Sequence, residues 1–108
     1  MSPRQLSNEA LTLVANRFKI LGEPLRLRLV QHLMEGERNV SDLVNATGAN
    51  QANVSRHLAT LTRAGILQRR KDGLNVFYAI ADPSVFELCD LVCSSVERFY
   101  ADQAKIFR

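Results

Sequence analysis

No acidic side chain occurs between Leu43 and Lys71, although that window holds Arg56, Arg63, Arg69, Arg70 and Lys71. In a chain whose net charge is only +3, such a basic island suggests that the middle of the molecule meets an anion. Other scarcities narrow the field. Two cysteines, Cys89 and Cys93, are too few for the disulfide framework of a small secreted domain. No apolar run approaches the ~18 residues of a membrane span, and the start MSPRQLSNEA lacks the basic-then-apolar pattern of a secretory signal. The expectation is a cytoplasmic protein with no membrane partner. The chain also lacks paired carboxylates flanking a cleft-forming segment, a Gly-rich phosphate loop and a histidine beside a nucleophile. Its cysteines are spaced Cys-x-x-x-Cys, not the Cys-x-x-Cys of a disulfide oxidoreductase. These absences argue against an enzyme.

What remains is the composition of one globular domain over residues 1–108, with 46% hydrophobic and 23% charged residues and material for a single core. The charge balance changes near the end: from Asp82 onward five acids (Asp82, Glu87, Asp90, Glu97, Asp102) face three bases (Arg98, Lys105, Arg108). The C-terminal segment therefore has a different task from the basic middle.

The hydrophobic pattern is mainly helical. Leu11, Val14, Ala15, Phe18 and Leu21 recur at helical spacing and predict a first amphipathic helix ending near Gly22. Pro24 suits the first position of a second helix carrying Leu25, Leu29, Val30 and Leu33, which Gly36 stops. Ser41 is placed to cap a short helix, DLVNAT, closed by Gly48, and a longer helix follows almost at once. A short helix, a tight turn and a longer helix over about residues 41–64 have the spacing of a helix-turn-helix. In the longer one Val54, Leu58 and Leu61 share one face, which leaves Ala52, Asn53, Arg56, Thr60 and Arg63 on the other with Ser55 beside them. Spacing alone leaves two readings of that outer face: a solvated helix whose charges happen to be positive, or a recognition helix whose Asn, Gln and Arg side chains pair with base edges in the major groove.

The next segment favours the second. Two β-prone runs, ILQRR and NVFYAI, are joined by KDGL, where Asp72-Gly73 is a favoured hairpin turn, so about residues 66–80 form a hairpin with Arg69, Arg70 and Lys71 at its tip. A basic hairpin directly after a candidate recognition helix is a wing, which sets cations beside the phosphate backbone.

Residues 18 to 80, and above all VSRHLATLTRAGIL followed by the basic hairpin, resemble the winged-helix core of the arsenic- and zinc-sensing repressors of bacteria, the ArsR/SmtB family. The resemblance implies a homodimer on a palindromic DNA operator near its own gene. It also implies dimerisation through the first and last helices, here about residues 5–21 and 83–104. By position in the motif, Gln51, Asn53, Ser55, Arg56 and His57, with Arg63 on the same side, are the DNA contacts of the recognition helix, and Arg69, Arg70, Lys71 and Asn75 those of the wing. His57 lies nearer the buried edge than Arg56, so it is expected to touch a phosphate or a neighbouring helix and not a base; as a helix-flank histidine it needs no function.

The sensing sites depart from the family pattern. Where arsenic sensors carry Cys-Val-Cys, this chain has Asn39-Val40-Ser41, and the last helix holds no histidine of the kind zinc sensors use. No cofactor is required. The last helix offers Cys89 and Cys93 instead, one turn apart on one face, a spacing that suits one thiophilic ion such as As(III) as inducer, with further ligands from the other subunit or water. Two other readings stand beside metalloid sensing: small apolar side chains filling a dimer seam with Phe86, Val96 and Tyr100, or redox and reactive-sulfur sensing. A direct disulfide is disfavoured because i,i+4 geometry within one helix strains it. From a different class, a winged helix used as a protein-interaction module remains the rival function, against which the acid-free window counts.

Overall fold

The computed structural model describes residues 4–101. Eight elements follow one another: α1 (Asn8–Leu21), α2 (Pro24–Leu33), β1 (Arg38–Asn39), α3 (Val40–Thr47), α4 (Gln51–Arg63), β2 (Leu67–Asp72), β3 (Asn75–Ile80) and α5 (Ser84–Phe99). Local chemistry sets most of the boundaries. The Ser7 hydroxyl accepts from the Ala10 amide and starts α1 at Asn8, so the first helix begins later than residue 5. The Glu23 carboxylate does the same for Arg26 at 2.9 Å, with Pro24 in the first turn of α2. Asn50 caps α4 by accepting from the Asn53 amide at 2.8 Å. Gly48, at φ +72°, supplies the left-handed residue that closes α3, and residues 48–50 make the turn between the two helices.

Three details differ from the sequence expectation. The cap of α3 is Asn39 and not Ser41: its Oδ1 accepts from the Asp42 amide at 2.8 Å. Asn39 can do this because it is held extended by a strand the sequence did not announce. This is β1, which pairs antiparallel with β3 (Arg38 opposite Tyr78, Asn39 opposite Phe77) and makes the hairpin part of a three-stranded sheet of order β1-β3-β2. The hairpin turn also lies one residue later. Asp72 pairs with Asn75, so the two turn residues are Gly73 and Leu74, and Gly73 takes the positive φ of 62° that the first position of a II′ turn demands. Asp72 itself remains in the ladder. The last helix starts at Ser84 and runs to Phe99; residues 102–104, expected within it, lie outside the described residues.

The core gathers Leu21, Leu29, Val30, Leu33, Leu43, Val54, Leu58, Leu61, Ile66, Leu67, Tyr78 and Val85. Every helix contributes, and α4 contributes its whole apolar stripe: Val54, Leu58 and Leu61 are fully buried, packed among α2, α3 and β2. Burying one such side chain stabilises the fold by about 1.5–3 kcal/mol, so this stripe fixes which side of α4 faces out. The ends of α4 are tied as firmly. The Ile66 amide donates back to the Leu61 carbonyl at 3.1 Å and the Ala81 amide to the Ile66 carbonyl at 2.9 Å, which locks the start of the wing to the end of α4.

Two helices keep apolar surface uncovered. On α1, Leu13 is 68% exposed and Phe18 55%; on α5, Leu91 is 70% exposed and Phe99 80%. Only the first part of α5 reaches the core, through Val85, Leu88 and Cys89.

Removing the packing of the stripe should be costly: Leu58→Ala is expected to lower the free energy of unfolding by about 2–5 kcal/mol in urea melts. A loss below about 1 kcal/mol would show that α4 is not anchored by this face.

Candidate nucleic-acid interface

The outer face of α4 carries the residues expected to meet DNA. Gln51, Arg56 and Arg63 are exposed, and Asn53 and Ser55 half-buried. The Arg56 guanidinium donates to Asn53 Oδ1 at 2.8 Å, so the two side chains project as one hydrogen-bonding pair one turn apart. Ala52 and Thr60 lie on the same side, and no carboxylate interrupts it. A surface of short polar groups and cations, free of acid, is what a helix entering the major groove needs.

His57 is placed differently. Its side chain is only 12% exposed and turns toward α2. Nδ1 accepts from Arg26 Nε at 3.0 Å, which leaves the ring proton on Nε2, 3.7 Å from the Glu23 carboxylate. Arg26 also donates to the Ile20 carbonyl at 3.1 Å, at the end of α1. Burial pushes the Glu23 carboxyl up, but the amides of Arg26 and Leu25 and the charges of His57 and Arg26 together hold it below the usual carboxylate range. A second arginine grips the far end of α4. Arg17 of α1 donates to the Ala64 carbonyl at 2.9 Å and stands 3.6 Å from Asp82, the residue that leads into α5. Ser84, bonding Asp82 through its hydroxyl and its amide, is the main cause that keeps the Asp82 carboxyl low, and Arg17 adds to it. The recognition-helix candidate is thus tied to α1 at its middle and at its C-terminus. Sequence periodicity could not reveal these contacts, because Arg17 and Ala64 are far apart in the chain.

The wing residues Arg69, Arg70, Lys71 and Asn75 are all exposed at the free end of the hairpin. Arg69 and Lys71 form no ion pair among the described residues. Arg70 does: its fork meets the Glu37 carboxylate at 2.7 and 3.0 Å. That hydrogen bond is the main reason the Glu37 carboxyl titrates below its ordinary range.

Cys89 and Cys93 are free thiols, half-buried and exposed respectively, away from both elements. They line an open cavity of about 410 Å³ between α1, α2 and α5, walled by Phe18, Leu21, Leu88 and Val92. Burial, and then the neighbouring Cys93 and Asp90, push the Cys89 thiol up. Among the described residues no cluster of three or more His, Cys, Asp or Glu side chains is placed to hold a metal ion. The cysteine pair alone is therefore an incomplete ligand set.

A short helix, a turn, an anchored helix with a polar outer face and a basic hairpin make a winged helix-turn-helix, and comparison with known proteins decides the lineage. The family described as bacterial regulatory protein, arsR family, matches residues 23–69, from the cap of α2 into the wing. The uncharacterized HTH-type transcriptional regulator Rv0081 of Mycobacterium tuberculosis is 34% identical over 95 residues, 87% of this chain and 83% of that one. The chain belongs to the ArsR family. The crystal structure of Rv0081 superposes with a TM-score of 0.80 at 33% identity, covering 91% of this chain and 99% of that one. The homodimeric winged helix-turn-helix domain of Mb0332 from Mycobacterium bovis gives a TM-score of 0.75 at 32% identity, covering 90% and 91%. The cadmium resistance transcriptional regulatory protein CadC of Lactococcus lactis is 35% identical over 88 residues, 81% of this chain and 74% of that one. As an ArsR-family member the protein is a DNA-binding transcriptional regulator, and these relatives are regulators and not enzymes. No helix among the described residues is long and apolar enough to cross a membrane.

For this regulator, Arg56→Ala is expected to weaken binding to the DNA upstream of its own gene by at least about tenfold, the ~1–3 kcal/mol of a lost base contact, with an unchanged circular dichroism spectrum. Asp90→Ala, on α5, should bind nearly as the parent does. Full-strength binding by the Arg56 variant in an anisotropy titration would remove the outer face of α4 from the interface.

Proposed function

We propose that this protein is a homodimeric repressor that sits on a palindromic operator and is released by an inducer held at the dimer helices, with Cys89 and Cys93 as the inducer site. The observation that carries the reading is the acid-free outer face of α4, with Asn53 and Arg56 paired on it, followed directly by a hairpin bearing Arg69 and Lys71. Gln51, Asn53, Ser55, Arg56 and Arg63 face the operator. His57 serves by holding α4 against α2. The uncovered apolar faces of α1 and α5 are where the second subunit packs, in keeping with the homodimeric Mb0332 domain.

Repression and release follow from geometry. Two recognition helices related by a two-fold axis bind successive major grooves only when they stand about 34 Å apart. An inducer that binds one arrangement of the dimer better than the other shifts the population toward it and breaks that match. Two thiolates on one face of a helix suit a soft ion, As(III), Cd(II) or Zn(II), and a third ligand has to come from the second subunit. The cadmium-resistance role in the name of CadC supports a metal inducer.

Anisotropy of the reduced protein on its own upstream DNA, with arsenite titrated into the complex, tests the reading. Dissociation at near-stoichiometric arsenite, lost in Cys89→Ser, is the expected result. Binding that ignores arsenite in the parent protein would remove the metalloid and turn attention to oxidants and reactive sulfur at the same thiols. A salt-insensitive association would count for a protein-interaction module instead.

A further inference from the structure

Three cations crowd the free end of the wing, and they are not equivalent. Successive side chains of a strand alternate between its two faces, and Arg69 stands opposite Tyr78, Lys71 opposite Val76 and Arg70 opposite Phe77. Arg69 and Lys71 therefore share the face of the buried Leu67, while Arg70 lies on the other face with Phe77.

The surroundings of Arg70 occupy nearly all of its guanidinium. Nε and Nη2 donate to the two oxygens of Glu37 at 3.0 and 2.7 Å. Nη1 stands 3.7 Å from the Asp72 carboxylate, and the guanidinium carbon lies 4.7 Å from the centre of the Phe77 ring. Both edges of the fork and one face of its plane are in use, so a phosphate would first have to displace a carboxylate. Glu37 is not part of the wing. It sits in the loop between α2 and β1, on the far side of the central strand β3 that carries Phe77. The contact thus runs across the sheet and ties the hairpin to the body of the domain. Only arginine can make it: the ammonium of lysine keeps the charge but has neither the two-pronged donor geometry nor a flat face to stack.

We propose that Glu37, Arg70 and Phe77 form a clamp that sets the angle of the wing, so that Arg70 is a positioning residue and the phosphate contacts of the wing fall to Arg69 and Lys71. The proposal rests on the DNA-binding reading above and changes the role of Arg70 within it. A β-hairpin hinged at one end swings freely unless something holds its free half, and the clamp holds it at the residue flanked by the two unpaired cations. The pairing also neutralises one wing charge internally, which makes the wing divalent toward DNA instead of trivalent.

Two variants that preserve net charge separate positioning from phosphate contact: Arg70→Lys, and the double variant Glu37→Gln with Arg70→Gln. The probes are a fluorescent duplex of the DNA upstream of the protein's own gene and a mixed-sequence duplex of equal length, each titrated across a range of salt, with circular dichroism to establish that every variant is folded. Both variants are expected to bind the upstream duplex about two- to fivefold more weakly than the parent, with the slope of log affinity against log salt unchanged. Arg69→Ala and Lys71→Ala should each reduce that slope by about 0.9. The clamp is overturned if the double variant loses about 0.9 of slope, or if Arg70→Lys binds as the parent does, because either result makes Arg70 a point charge against a phosphate. Parent protein whose binding to both duplexes ignores salt would remove the DNA-binding reading itself, and the proposal with it.

Discussion

Burial of the Val54, Leu58 and Leu61 stripe is the interaction on which the rest of the molecule depends. A helix with one apolar stripe has one low-energy orientation against a core, and once that stripe is packed among α2, α3 and β2 the opposite face has nowhere to go but outward. The side chains on that face are then presented at a fixed angle without any loop to position them. The same packing determines the wing, because Ile66 and Leu67 enter the core immediately after α4 and bring the hairpin with them. Recognition surface and wing are two consequences of one hydrophobic contact.

Hydrophobic burial is not directional, so it leaves small rotations of α4 free, and here polar contacts remove them. His57 is held by Arg26 from α2, and the Ala64 carbonyl by Arg17 from α1. Both arginines reach elements whose other faces remain apolar and open: Arg26 touches the last turn of α1, and Arg17 touches α1 and the residue leading into α5. A rearrangement of the helices that a second subunit covers has a short physical path to the helix that meets DNA. The cysteine pair lies at the α1, α2 and α5 junction, near the start of that path.

Much of this architecture was legible because periodicity is a local property. The i, i+4, i+7 stripe of α4, the proline at the start of α2, the glycine closing α3 and the β-prone runs about Gly73 each announce themselves within a dozen residues. The family resemblance rested on the same local features, and comparison with relatives places the chain in that family. Less was legible where a residue's state depends on a distant partner. Asn39, not Ser41, caps α3 because β1 holds it extended against β3. That strand has only two residues, too few to carry an alternating pattern.

The sequence by itself determined the helix-turn-helix, the wing, the acid-free outer face and the spacing of the thiols, since each follows from the order of neighbouring residues. Only the tertiary structure decided which of those charges are available. His57 and Arg70 look in sequence like Arg56 and Lys71, but one is turned toward α2 and the other is paired with Glu37. The physical reason is that a side chain's partners are set by what packs beside it in space, and a carboxylate over thirty positions away in the chain can neutralise a charge that its sequence neighbours leave free.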